Sequence, residues 1–295
     1  MSKKFKKTIA LICAVCLVTA AMCGVALAQD GTDAGAAPAY VNVQIYVDGL
    51  LTSRGYSISN TTYVTLESIC NAIDPGAEVE KTVPADKDSA GQTQPFTITA
   101  QVNGITITYT QNDNYLCANG RYIYLPSGSP EIDGNSLFPV RALAKIFGID
   151  VGWDGELRAV NLSTDNMAVL ESGDEFYNAE DVELLAHIIY AEAGNQPLAG
   201  MIGVGDVVLN RVASDRFPNT IREVIYAPGQ FDPVRNGSIN LTPTLAAYAA
   251  AHLALEGYNT VGDSLFFHNP GSSTSYLSNS AFVIKIQDHV FLTAG

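Results

Sequence analysis

The chain has 295 residues and carries 30 acidic against 16 basic side chains, a formal charge of −14. A surplus of that sign excludes attraction to nucleic acid or to an anionic membrane through a bulk field, so a polyanionic partner has to be held by specific contacts. The length suits a targeting segment followed by two domains.

Lys3, Lys4, Lys6 and Lys7 precede an apolar run from Thr8 to Ala26, and Ala26-Leu27-Ala28 closes it. Basic start, apolar centre and small-residue cleavage site predict a secretory signal peptide over residues 1–28. An uncleaved anchor is the alternative, because the run is close to spanning length. Cleavage removes four lysines and no acid, which takes the formal charge from −14 to −18. The product is expected to be secreted, with no transmembrane segment of its own. Three of the five cysteines leave with that segment. Cys70 and Cys117 remain, either as a disulfide of an exported protein or as two small core residues. Residues 29–39, small and polar, read as a flexible leader.

Residues 40–164 read as a β-rich domain. Val41, Val43, Ile45 and Val47 alternate before an Asp48-Gly49 turn, Phe96 to Tyr109 makes a hairpin about Asn103-Gly104, and Asn119-Gly120 marks another turn. Thr62 to Ile73 parallels Ser136 to Phe147, each a short strand running into an amphipathic helix, so two strand-helix repeats are expected. The run D-G-N-S-L-F-P-V-R-A-L-A-K-I-F-G-I-D-V-G-W-D-G, Asp133 to Gly155, resembles the copper amine oxidase N-terminal-like domain of secreted Gram-positive proteins. The resemblance extends over Val41 to Ser163 and implies an accessory, wall-associating role. The region holds no His or Met cluster, so no copper site is read there. Residues 165–177 read as a polar linker.

The remainder, 178–295, is a second domain containing all four histidines. Asn178 is a good N-cap, and Glu180, Asp181 and Glu183 put negative charge in the first helical turn, where the dipole favours it. Val182, Leu185, Ile188, Ile189 and Glu192 then recur at helical spacing, which sets a carboxylate on an apolar stripe. Gly194 caps this helix and Pro197 opens a second, through Leu198, Ile202, Val204, Val207, Val208, Leu209 and Val212. Desolvation among Leu and Ile raises a carboxyl pKa, which is what a general acid needs near neutral pH. A glutamate that reaches solvent, or that bonds Arg211, is the competing reading. A third, Ala-rich helix follows from Pro243 to Gly257, then a strand from Ser264 to Asn269 and a last β arm from Phe282 to Phe291.

Six blocks in order carry a second resemblance: A-E-A-G from Ala191, V-V-L-N-R-V from Val207, F-P-N-T from Phe217, V-I-Y-A-P-G-Q-F from Val224, L-F-F-H-N-P from Leu265 and H-V-F from His289. Together they resemble the SleB/CwlJ family of cell wall hydrolases, which includes spore cortex-lytic enzymes. The resemblance implies a lysozyme-like α+β fold for this domain and an α+β class for the whole. It also implies cleavage of peptidoglycan glycan strands, no cofactor and no metal, a catalytic glutamate at Glu192, and residence in the wall or spore envelope of a Gram-positive bacterium. A glycosidase normally uses two carboxyl groups, whereas a lytic transglycosylase lets the muramic 6-hydroxyl attack the anomeric carbon and can work with one. Glu192 is assigned both acid and base duties on that basis.

The other candidates carry bland alternatives. Gln230 and Asn269 offer amides to N-acetyl groups or simply satisfy their loops. Phe231, Phe267 and Tyr190 are sugar platforms or core aromatics. Asp206 and Asp232 are the available second carboxylates for a hydrolytic reaction, Asp232 being the better placed after Gln230-Phe231. His289 is a packed histidine or a base. Two positions depart from the family pattern. Asn195-Gln196-Pro197 stands where relatives commonly read G-E-P, so no proton transfer rests on position 196, and a Trp-bearing stretch is here Tyr276 to Ser280. Rival readings are a zinc amidase using His187, His252, His268 and His289, whose spacing matches no metal motif, and a non-catalytic wall-binding protein on a lysozyme-like fold.

Overall fold

Hairpin chemistry organises the first half of the chain. The computed structural model describes residues 39–87, 91–269 and 280–294, so the expected signal peptide, nearly all of the expected leader and residues 276–279 lie outside it. Asn103 and Gly104 both take positive φ (47° and 79°), as do Asn119 and Gly120 (52° and 76°). Asn-Gly tolerates that left-handed pair, whose twist matches the flanking strands.

The strands fall into two sheets. β1 (Val41–Val47), β2 (Leu50–Ile58) and β3 (Thr61–Thr65) run antiparallel into helix α1 (Leu66–Ile73). β4 (Glu78–Thr82), β5 (Thr97–Val102), β6 (Ile105–Thr110), β7 (Tyr115–Ala118) and β8 (Arg121–Tyr124) form an antiparallel meander of five. β9 (Glu131–Ile132) and β10 (Asn135–Pro139) lead into helix α2 (Val140–Phe147), followed by β11 (Asp150–Asp154) and β12 (Ala159–Ser163). The larger sheet has the order β11-β12-β1-β2-β3-β10-β9, with β1 and β12 parallel. Its core includes Ile45, Val64, Ile69, Phe138, Leu143 and Phe147. Cys70 and Cys117 are both free thiols, the first buried inside that core and the second partly exposed on the meander.

Residues 165–177 are pinned along their length. Ala168 and Leu170 donate backbone hydrogen bonds to the carbonyls of Phe147 and Ile146, and Gly173 donates to Asn119. A Cβ on Gly173 would sit 2.3 Å from the Gly120 carbonyl oxygen, so this crossing needs glycine. Helix α3 (Gly173–Phe176) ends the segment.

The second half is helical. α4 (Ala179–Ala193) starts at Asn178, whose side chain accepts from the backbone N–H of Glu180 and Asp181. α5 (Leu198–Val212), α6 (Ile221–Tyr226), α7 (Asp232–Asn236), a 3₁₀ turn at Ser238–Asn240 and α8 (Leu245–Leu255) follow. α8 is capped by Thr244, one residue after the expected start at Pro243. β13 (Phe266–His268), β15 (His289–Thr293) and β14 (Ala281–Ile286) then form a small antiparallel sheet in that spatial order. Leu185, Ile189, Ile202, Val208, Ala250 and Leu253 fill the helical core, where the alanines of α8 let neighbouring helices approach closely.

The β-rich and helical parts belong to one compact unit spanning residues 37–295. Tyr115, Tyr122 and Tyr124 of the meander pack against the helical core, and the Tyr122 ring stacks on His252 with centroids 4.4 Å apart. Glu256, just past α8, has a side chain only 1 % exposed. It accepts hydrogen bonds from Arg121 Nη2 (2.9 Å) and Tyr177 Oη (2.6 Å), with Lys145 Nζ 3.5 Å away. Burial alone would raise this carboxyl, but the Arg121 and Tyr177 bonds outweigh it and hold Glu256 below the ordinary range.

No helix among the described residues is long and apolar enough to cross a membrane.

Candidate active site

Glu192 is the penultimate residue of α4 and projects into a cavity of about 610 Å³. Its other lining residues come from three further places. Arg211 is near the end of α5, Gly229 to Asp232 form the approach to α7, and β13 with β15 supplies Phe266, Phe267, His268, Asn269 and His289. The apolar stripe that makes α4 a core helix therefore ends on a carboxyl group at the wall of an opening.

That placement sets the chemistry of Glu192. Desolvation pushes its pKa from 4.5 to about 7; the nearby Asp232 charge adds to the rise and the Arg211 charge opposes it. Burial wins, and the group is poised to hold or release a proton near neutrality.

Arg211 was legible only as a bonding partner of Glu192, and the structure gives it a larger place. Its Nε donates to the Leu265 carbonyl at 2.8 Å. Its guanidinium carbon lies 5.0 Å from the Phe231 ring centre and 5.1 Å from that of Phe217, so aromatic faces steady the buried cation. The signal was present: Arg211 is the single basic residue of α5, set among valines. Phe266, which no sequence signal marks, also lines the cavity, as does His268, named above only as a candidate zinc ligand.

Of the expected site residues, Glu192, Gln230, Phe231, Phe267, Asn269 and Asp232 are brought together on this one cavity. Phe231 and Phe267 have ring centres 6.5 Å apart, and Phe267 lies 5.3 Å from the His289 ring. Tyr190 is not part of the lining. It packs against the helical core, with its ring beside Gly194. Asp206 is also elsewhere: it is buried on α5 and accepts from Thr260 N at 2.8 Å and Thr260 Oγ1 at 3.2 Å. Its pKa is raised to about 7 by desolvation, against those two hydrogen bonds. Asp232 is the carboxylate that shares the cavity; its side chain is 77 % exposed and bonds Arg235 at 2.8 Å.

His289 is 2 % exposed, with a buried Nδ1 that has no hydrogen-bond partner among the described residues, and burial lowers its pKa, which favours the neutral ring. Gln196 explains the departure at the α4–α5 kink. Its amide donates to Asn195 Oδ1 (3.1 Å) and Asp288 Oδ2 (3.4 Å) and accepts from Asp288 N (3.2 Å). The carboxamide thus ties the kink to the β14–β15 turn that precedes His289. His187 bonds the Ile239 carbonyl and His252 stacks on Tyr122, both away from the cavity. No group of three or more His, Cys, Asp or Glu among the described residues is placed to hold a metal ion.

Comparison with known proteins adds two family matches: Cell Wall Hydrolase over residues 195–292 and Copper amine oxidase N-terminal domain over residues 50–162. The first begins three residues after Glu192. A spore cortex-lytic enzyme of Bacillus cereus is 37 % identical over 116 residues, 39 % of this chain and 45 % of that protein. The chain thus spans less than half the length of that relative. Cell wall hydrolase CwlJ of Bacillus subtilis is 30 % identical over 118 residues, 38 % of this chain and 83 % of that protein. The crystal structure of the catalytic domain of the Bacillus cereus SleB protein aligns at 36 % identity with a TM-score of 0.38, covering 40 % of this chain and 92 % of that one.

Proposed function

The chain belongs to the cell wall hydrolase family, and from that premise we propose that it cuts the glycan strands of peptidoglycan, with Glu192 as general acid and then general base. The observation that carries the reading is a carboxyl group with a pKa of about 7 on the wall of a 610 Å³ cavity. Such a group is part protonated near pH 7, so it can give a proton to a glycosidic oxygen as the bond to the anomeric carbon breaks.

Once that proton has left, Glu192 is a carboxylate facing Arg211. The cation's opposing charge makes this state accessible inside a partly dry cavity. In the transglycosylase form of the reaction the carboxylate takes the proton of the muramic 6-hydroxyl while its oxygen bonds the anomeric carbon, closing a 1,6-anhydro ring. One carboxyl group completes the cycle and no water is consumed. Gln230 and Asn269 offer amides to the N-acetyl groups and the part-exposed Phe267 offers a ring face to the sugars, while Phe231 and neutral His289, both almost wholly buried, shape the cavity behind them. Asp232 favours a second form, hydrolysis, because it is on the same cavity and could activate water or the anomeric carbon.

The chain is further assigned to export by its signal peptide and to the wall or spore envelope, with Tyr40 to Thr164 as the accessory part. Digestion of purified cortex and vegetative peptidoglycan tests the enzymatic reading. The parent is expected to release soluble muropeptides, and Glu192→Gln to release them at least ~100-fold more slowly, the lower range for losing a general acid. Equal release by Glu192→Gln would remove the assignment, and no release from either substrate by the parent would leave only wall binding.

A further inference from the structure

A second depression, of about 450 Å³, lies on the larger sheet, away from the Glu192 cavity. One wall is Trp153 on β11, cross-strand from Val160 on β12. Directly paired residues share a face, and Val160 is a core residue, so the indole is on the helix-covered side of the sheet. Yet Trp153 is 54 % exposed. The opposite wall is the first turn of α2, with Pro139 and Arg141, and Ser57, Asn60 and Thr62 supply hydroxyl and amide groups between.

Two features define what fits. A flat aromatic face left half in water beside hydroxyls and an amide matches a pyranose ring, which presents C–H groups to the ring and hydroxyls to the rim. Arg141 is exposed and makes no ion pair among the described residues, and no Asp or Glu lines the groove. In a chain of charge −14 that is a local positive site, complementary to a carboxylate and suited to bidentate contact. We propose that this groove is a second glycan site that takes an acidic amino-sugar strand, one ring stacked on Trp153 and a sugar-borne carboxylate on Arg141. The proposal deepens the peptidoglycan reading and rests on it. It gives the β-rich part of the chain a role: holding a strand whose other stretch enters the Glu192 cavity, or keeping the enzyme on its insoluble substrate between cuts.

Trp153 is the single tryptophan of the chain, so its emission reports on this groove and not on the Glu192 cavity. The experiment titrates the full chain carrying Glu192→Gln with a tetrasaccharide of alternating N-acetylglucosamine and N-acetylmuramic acid bearing free lactyl carboxylates, and with neutral chitotetraose. The acidic tetrasaccharide is expected to shift the emission in a saturable way and to bind at least several-fold more tightly than chitotetraose. Arg141→Ala should weaken it by roughly tenfold, the size of one charge-assisted hydrogen bond, with Arg141→Lys in between. Co-sedimentation with insoluble peptidoglycan provides a second readout, in which Trp153→Ala in the same background should pellet less. Silent emission together with unchanged co-sedimentation would overturn the second site while leaving the enzymatic reading to be judged by muropeptide release. Equal response to chitotetraose, or no effect of Arg141→Ala, would overturn the acidic ligand. A Trp153 response in a protein that never cuts peptidoglycan would uphold the groove and remove the enzyme.

Discussion

Replacing Asp232 by Asn separates the two chemical forms of the reaction. Asp232 lines the Glu192 cavity, and its charge is one of the two influences that raise the Glu192 pKa to about 7. If Glu192 works alone, Asn removes a charge that repels its carboxylate, together with an exposed ion pair to Arg235 that takes no part in the chemistry. The side chain is 77 % exposed, so water screens it. Coulomb's law at a few ångströms in such a medium gives about 1 kcal/mol or less, or roughly half a pH unit. A general acid must be protonated, so activity falls as pH rises through its pKa. A group at pKa 7 is about half protonated at pH 7, whereas one at the ordinary 4.5 would be protonated in roughly one molecule in 300. Asp232→Asn should therefore move the alkaline limb of the pH–rate curve downward by roughly half a pH unit, with the rate at pH 6 changed less than about threefold. Release of soluble muropeptides between pH 5 and 9 is the assay. A loss beyond ~100-fold at every pH would refute the single-carboxylate account and make Asp232 the second catalytic group. A limb that moves upward would refute the electrostatic argument.

Further expectations concern stability and geometry. Glu192 has a raised folded pKa, so the native state binds more protons than the unfolded one between about 4.5 and 7, and this site's contribution falls as pH rises through that window. Glu192→Gln should raise the Tm at pH 8, by at most about 3 kcal/mol of stability, and leave it unchanged at pH 4; an equal Tm at pH 8 would contradict the burial. Glu256→Ala strands Arg121 in the interface and should cost roughly 3–5 kcal/mol in calorimetry, with Arg121→Ala/Glu256→Ala less affected than the sum of the single changes. Additive losses would mean the pair is not coupled. A methyl group on Gly194 would sit 2.7 Å from the Tyr190 carbonyl oxygen, so Gly194→Ala must shift the turn that carries Glu192. It should lower kcat by roughly tenfold or more with little change in KM, since positioning errors well under an ångström cost rate; an unchanged kcat would show that the turn absorbs the methyl.

Local chemistry made much of this structure legible. Asn178 announced the start of α4, Asn103-Gly104 and Asn119-Gly120 announced their turns, and an apolar stripe ending on Glu192 announced an acid in a dry place. Each depends on residues within one turn or one strand pair. What stayed hidden depends on long-range contact. Nothing in the valine-rich run of α5 says that Asp206 turns to Thr260 while Arg211, five residues on, reaches the Glu192 cavity. Tyr190 stands two residues before Glu192 and so projects from another side of the helix, which is why it packs away from the site. Gln196 reads as a lost carboxylate in sequence and as a strut to Asp288 in space. The clamp on Glu256 joins Arg121, Lys145 and Tyr177, residues up to 135 positions away, and no short-range pattern encodes it.

The central claim is that one carboxyl group, Glu192, both gives and takes the proton during glycan cleavage. It is tested most directly by digesting peptidoglycan in ¹⁸O-labelled water and weighing the muropeptides released by the parent and by Glu192→Gln. The account predicts products one water lighter than hydrolytic ones, with no ¹⁸O at the muramic acid end, and their absence with Glu192→Gln. Reducing ends carrying ¹⁸O would contradict it, since water would then be the nucleophile and a second group, with Asp232 first in line, would have to activate it.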